Sequence, residues 1–241
     1  MIRIENLSKD FGNVKALMGL NLKIKKGEFF AFLGPNAAGK TTTIKLMTGL
    51  LRPTKGRVFI GGYNIQTQGY LAKSLIGYIP EYPYLYDRLT AREFVVFISQ
   101  VYNLNDKDIN AKIEEMFELF GLVDFRDTLI SDFSHGLRQR LLYVATLIHE
   151  PKVLIIDEPL IALDPQAARL VKDILKEKSG QGVTIFISTH ILSIAEELAD
   201  RIGIIDKGRL VAEGSFQELK RLSPSDENLE DVFLGLTHGP T

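Results

Sequence analysis

Phe29-Phe30-Ala31-Phe32-Leu33-Gly34-Pro35-Asn36-Ala37-Ala38-Gly39-Lys40-Thr41-Thr42 is the stretch that decides the fold. Its five leading apolar residues read as a buried strand. The apolar positions Ile44, Leu46, Met47, Leu50 and Leu51 then predict a helix over 39–51 with one buried face. Between strand and helix, Gly34 to Thr41 satisfies G-x-x-x-x-G-K-[ST] in the context where that pattern has a mechanism. Phosphate oxygens need many converging donors. Backbone N–H groups of Gly34, Pro35-Asn36-Ala37-Ala38 and Gly39 at a positive helix end supply them, apart from the proline, and glycine permits close approach. Lys40 adds a charge for the β- and γ-phosphates, and the Thr41 hydroxyl, with Thr42 beside it, is placed to ligate a bridging Mg²⁺. A positive φ at Ala37 would make its methyl costly by about 1 kcal/mol.

Two later strands end in polar side chains. Val153-Leu154-Ile155-Ile156 runs into Asp157-Glu158-Pro159, and Ile187-Ser188-Thr189-His190 closes the next apolar run. Ligands of open α/β sheets bind outside the carboxyl ends of the strands, which sets both groups beside the phosphate loop. Asp157 suits Mg²⁺, usually through water; Glu158 suits a carboxylate that orients or deprotonates an attacking water; His190 suits a polar contact to the γ-phosphate. An acidic turn and a helix-capping histidine are the plainer readings of each motif taken alone.

The remaining chain surrounds this core. Short runs at 20–24, 58–60 and 77–79 read as strands, and a helical pattern occupies 90–150 through Phe94, Val95, Phe97, Ile98, Val101, Ile109, Ile113, Met116, Phe117 and Phe120. After Pro151, strands at 153–156, 183–187 and 202–205 alternate with helices at 165–178 and 191–199, the pattern of a parallel sheet covered on both faces. The division expected is one domain over 1–241: an α/β core at 1–89 and 151–222, a helical lobe at 90–150 and a tail at 223–241. The 241 residues are 45% hydrophobic and 24% charged, which excludes a disordered chain. Twenty-nine basic against thirty acidic residues leave a net charge of -1, so no global field draws the chain to nucleic acid or an anionic membrane. Cysteine is absent, which rules out disulfides and thiolate metal sites and fits a reducing cytoplasm. With neither a signal-like nor a spanning apolar run, the chain is expected to be soluble.

In this order the motifs resemble the nucleotide-binding subunit of ATP-binding cassette (ABC) transporters. Phe133-Ser134-His135-Gly136-Leu137-Arg138-Gln139-Arg140 is similar to the family signature, Ala162-Leu163-Asp164-Pro165 to its D-loop, and His190 to its switch histidine. Phe11 stands at the place of the aromatic residue that stacks on adenine. The resemblance implies a P-loop NTPase α/β fold: a mainly parallel sheet, an N-terminal antiparallel β portion and an inserted all-helical signature lobe. It implies ATP and Mg²⁺ as ligands, with Glu158 and His190 catalytic, and Thr41, Asp157 and Glu81 at the metal. Ser134, His135 and Gly136 of one chain would close over ATP held by a second ABC ATPase chain, and hydrolysis would reopen the dimer. An integral membrane permease at the cytoplasmic face is the implied partner, the segment around Glu81 linking the two. Glu81 for the usual glutamine and the tail 228–234 point to an ABC-2 exporter. The sequence departs from the pattern most at His135, which replaces a glycine. A soluble ABC ATPase acting on a nucleic-acid machine, and a nucleotide-binding regulator with little hydrolysis, are the alternatives; no nucleic-acid contact is expected without basic surface. Arg138 and Arg140 read as a solvated helix face. The aromatic segment 80–89 reads either as part of a permease groove or as rings packed locally.

Overall fold

The computed structural model describes residues 1–104, 108–221 and 233. The tail reading at 228–234 lies, but for Phe233, outside the described residues. Strands β1 (Ile2–Phe11), β2 (Val14–Ile24), β4 (Lys55–Ile60) and β5 (Tyr63–Asn64) form an antiparallel sheet in the order β2-β1-β4-β5. A second sheet runs β10-β9-β3-β8-β7-β6, built from β3 (Phe29–Leu33), β6 (Ile76–Ile79), β7 (Val153–Asp157), β8 (Thr184–Thr189), β9 (Arg201–Asp206) and β10 (Arg209–Gly214). Its pairs are parallel except β9 with β10.

Period-two alternation divides the second sheet between two cores. Phe30, Phe32, Val153, Ile155 and Phe186 face the antiparallel sheet, where Ile2, Ile4, Leu20 and Ile24 meet them together with Ile44 and Met47 of α1 (Lys40–Met47). Phe29, Ala31, Leu33, Leu154, Ile156, Ile185 and Ile187 face the other way. There they pack on α6 (Pro165–Gly180) and α7 (Leu192–Leu198) and toward the helical lobe, α3 (Ala91–Val101), α4 (Ile109–Leu119) and α5 (His135–Leu147). A strand with both faces buried reads as an unbroken apolar run, as β3, β7 and most of β8 do. Short helices α2 (Gly69–Lys73) and α8 (Phe216–Lys220) complete the fold.

The helix predicted over 39–51 is shorter. It stops at Met47, and the chain turns because Leu50 and Leu51 both donate their N–H to the Lys45 carbonyl. Leu50 is consequently exposed rather than on the buried face. Strands β1 and β10 carry alternating polar residues, Arg3, Glu5, Arg209 and Glu213 among them, which hid them from a search for apolar runs.

Candidate functional site

Strand ends β3, β8, β7 and β6 lie side by side, and register fixes what they present together. Leu33 is opposite Thr189, and Asp157 is opposite Ser188. β3 delivers the glycine loop, β7 delivers Asp157 and Glu158, β8 leads into His190, and β6 leads through Pro80 to Glu81. With Phe11 and Ala16 from the antiparallel sheet, these groups line a cavity of about 440 Å³.

The loop's shape follows from two left-handed residues. Ala37 has φ 64°. Gly39 has φ 113° and caps α1, and a Cβ there would lie 2.8 Å from the Ala16 carbonyl oxygen, so both conformation and space require glycine. No side chain caps α1, and its first turn holds no carboxylate, which leaves the first N–H groups as donors for an anion. Gly34 and Ala38 are buried within the loop while Asn36 and Ala37 are exposed to the cavity, beside Thr42. Lys40 is only 8% exposed and folds back so that Nζ donates to the Gly34 carbonyl at 2.6 Å and the Pro35 carbonyl at 3.1 Å. Burial holds its pKa below the ordinary lysine value, opposed by the charges of Glu158, Asp157 and Glu81.

Both acidic residues are buried and fully engaged. Asp157 accepts from the Thr41 hydroxyl at 3.0 Å and from Ser188. Glu158 accepts from the Thr189 hydroxyl at 3.0 Å and the His190 N–H at 3.2 Å, and its Oε1 lies 2.7 Å from His190 Nδ1. A proton on Nδ1 makes the ring a donor to Glu158 and leaves Nε2 on the outer side. Ser188 and Thr189 were not singled out in the sequence, yet they orient the two carboxylates; their signal was a pair of hydroxyls ending an otherwise apolar strand.

The donor set suits a hard divalent cation that arrives with phosphate. The Thr41 hydroxyl, the Asp157 carboxylate and Glu81 offer oxygen only. Among the described residues no cluster of three His, Cys, Asp or Glu is able to cage a metal alone. Mg²⁺ matches this, since it retains waters and is held by one or two carboxylates plus substrate phosphates.

Ser134, His135, Gly136 and Asp164 do not line this cavity. Ser134 caps α5, accepting from the Leu137 N–H at 3.3 Å, and it is exposed together with His135, whose ring lies 6.5 Å from that of Tyr82. Asp164 caps α6, accepting from the Ala167 N–H at 2.9 Å. On the partly solvated face of α5, Arg138 pairs with Asp87 at 2.6 Å and Arg140 pairs with Asp164. One ring of segment 80–89 packs locally, Tyr86 lying against Phe94 and Phe97 of the helical lobe at centroid distances of 6.1 and 5.5 Å. Tyr82, Tyr84 and Tyr86 are exposed, and Tyr84 borders a largely apolar groove of about 450 Å³ between core and helical lobe, with Leu50, Phe94, Ile98 and Tyr102.

A family model described as ABC transporter matches residues 17–161. The bacitracin transport ATP-binding protein BcrA of Bacillus licheniformis is 39% identical over 92% of this chain and 72% of its own length. The linearmycin resistance ATP-binding protein LnrL of Bacillus subtilis is 36% identical over 91% of this chain and 70% of its own length. A solved ATP-binding subunit of an ABC transporter superposes with a TM-score of 0.93, at 30% identity, covering 98% of this chain and 99% of that one. A dimeric ATP-binding cassette in a post-hydrolysis state, bound to ADP and Pi, superposes with a TM-score of 0.81 at 25% identity, covering 89% of this chain and 98% of that one.

Proposed function

Because this chain belongs to the ABC transporter family of ATP-binding proteins, we propose that it hydrolyses ATP to drive export through a separate membrane permease. The observation that carries the hydrolytic reading is Glu158, a buried carboxylate beside the phosphate loop, held by Thr189 and His190 on three hydrogen-bonding atoms. The free N–H groups of α1 and the Lys40 ammonium bind the phosphates, Lys40 exchanging its carbonyl partners Gly34 and Pro35 for phosphate oxygen. Phe11, exposed at the end of β1, stacks on the base. A water's oxygen bonds to the γ-phosphorus while the bond to the ADP oxygen breaks, and Glu158 takes the water's proton. His190 fixes Glu158 through Nδ1–H, and with a second proton on Nε2 the ring donates to a γ-phosphate oxygen. When bound, Mg²⁺ at Thr41, Asp157 and Glu81 neutralises charge on the β- and γ-phosphates.

The placement of Ser134, His135 and Gly136 outside their own cavity supports a head-to-tail pair of cassettes in which each signature covers the other chain's ATP. Asp164 belongs to the same contact. The groove bordered by Tyr84 supports docking of a permease segment at the cytoplasmic face of the membrane, and the bacitracin-transport and linearmycin-resistance names of the relatives favour export. Among the described residues no helix is long and apolar enough to cross a membrane. The test is Mg²⁺-dependent ATP hydrolysis by the purified chain over a range of concentrations. The expected result is a rate per chain that rises with concentration and falls by about 10²-fold or more in Glu158→Gln. Hydrolysis no faster than in that variant refutes the proposal.

A further inference from the structure

The segment 158–164, which carries Glu158 at one end and Asp164 at the other, has weak internal support. Glu158 and Ala162 both sit in the left-handed region, at φ 53° and 61°. The segment's own backbone bonds are long: Ile161 N–H to Glu158 carbonyl at 3.3 Å, and Leu163 N–H to Leu160 carbonyl at 3.4 Å. Its conformation therefore depends on what packs against it.

Its ends are held by β8, His190 and the start of α6, and along its length it packs on one stripe of α5. The Tyr143 hydroxyl donates to the Pro159 carbonyl at 2.7 Å, within a fully buried pocket where the Tyr143 ring stacks on Phe120 at 6.0 Å. Burial raises the Tyr143 pKa, which keeps the phenol a donor. Arg140 pairs with Asp164 at the far end. Between these, Gly136 approaches so closely that a Cβ on it would lie 3.1 Å from the Ala162 carbonyl oxygen. Positions 136, 140 and 143 follow the i, i+4, i+7 spacing of a single helix face. The same helix begins at Ser134 and His135, both exposed.

We infer that Tyr143 is a positioning residue for hydrolysis: with Arg140 and Gly136 it clamps 158–164 to the signature helix, so that the helix end facing a partner and the Glu158 carboxylate move as one body. The inference rests on the hydrolytic reading for its consequence, though not for the clamp itself. Tyr143→Phe keeps the ring and removes the donor, leaving the Pro159 carbonyl without it.

The experiment compares Tyr143→Phe and the parent chain in steady-state ATP hydrolysis and in amide hydrogen exchange, with Arg140→Ala as a second variant that leaves the Tyr143 ring packing intact. The expected result is a kcat about tenfold lower with KM within about twofold, since a slightly displaced base costs turnover and not ground-state binding. Amides of Ile161 and Leu163 should exchange at least about tenfold faster in both variants, while those of β7 keep their protection. An unchanged kcat overturns the inference, as does exchange that quickens equally in β7, which would mark a merely structural loss. If the parent chain hydrolyses no ATP, the proposed function fails. The exchange pattern then decides the clamp alone: selective loosening of 159–164 upholds it, and none overturns it.

Discussion

Replacing Lys40 by methionine separates the phosphate contact from the packing that surrounds it. The lysine stem is buried, and methionine keeps a comparable apolar body while removing the ammonium. That ammonium is the positive charge balancing Glu158, Asp157 and Glu81 around the cavity. Without it, three carboxylates face an incoming triphosphate. A ligand at 100 times its Kd stabilises by about 2.7 kcal/mol, which for a domain of this size is a rise in Tm of about 5–11 °C. Loss of one hydrogen bond to a charged group costs about 1.5–3 kcal/mol, so Kd weakens by about 10- to 150-fold. At the same ATP concentration the stabilisation falls to about 0.3–1.3 kcal/mol and the shift to about 1–5 °C. The assay is thermal unfolding by circular dichroism with and without Mg-ATP. A variant shift as large as that of the parent would refute the placement of Lys40 on the phosphates.

The same residue gives opposite pH trends for the free and the ATP-bound chain. Its folded pKa lies below the unfolded value of 10.5, so the unfolded chain binds more protons between the two values and stability from this group rises with pH across that window. ATP affinity instead falls as pH climbs through the depressed value and the ammonium is lost; titrations of both quantities between neutral and alkaline pH check the pair of signs. Phe186→Ala removes the middle ring of Phe30, Phe32 and Phe186, whose centroids lie 5.9 and 5.5 Å apart, and should cost about 3–5 kcal/mol in urea unfolding. Ala37→Gly relieves a methyl held at φ 64° and should raise stability by up to about 1 kcal/mol, read as an upward move of the urea midpoint at constant slope.

The candidate site was legible in its parts because its residues are local in sequence. Gly34 to Thr41 is one short run, and each acidic or histidine position follows an apolar strand within a few residues. Strand register then assembled them, which no spacing displays: Asp157 meets Ser188 only because β7 and β8 pair in parallel at that offset. The fold was legible wherever burial was two-sided, as in β3 and β7. It was obscure in β1 and β10, where one face is solvated and the apolar run is broken by charge. At Arg138 and Arg140, helix periodicity marks a polar face but carries no information on acidic partners such as Asp87 and Asp164 brought from elsewhere. Tyr143 lay in an apolar stretch and gave no sign that its hydroxyl would find the Pro159 carbonyl.

In the proposed cycle ATP joins two of these chains and hydrolysis at Glu158 separates them. Light scattering on Glu158→Gln, with hydrolysis blocked, tests it most directly. In Mg-ATP the expected mass is twice that of the 27.0 kDa chain, returning to a single chain when nucleotide is withdrawn. A mass that stays at one chain with ATP bound would contradict it.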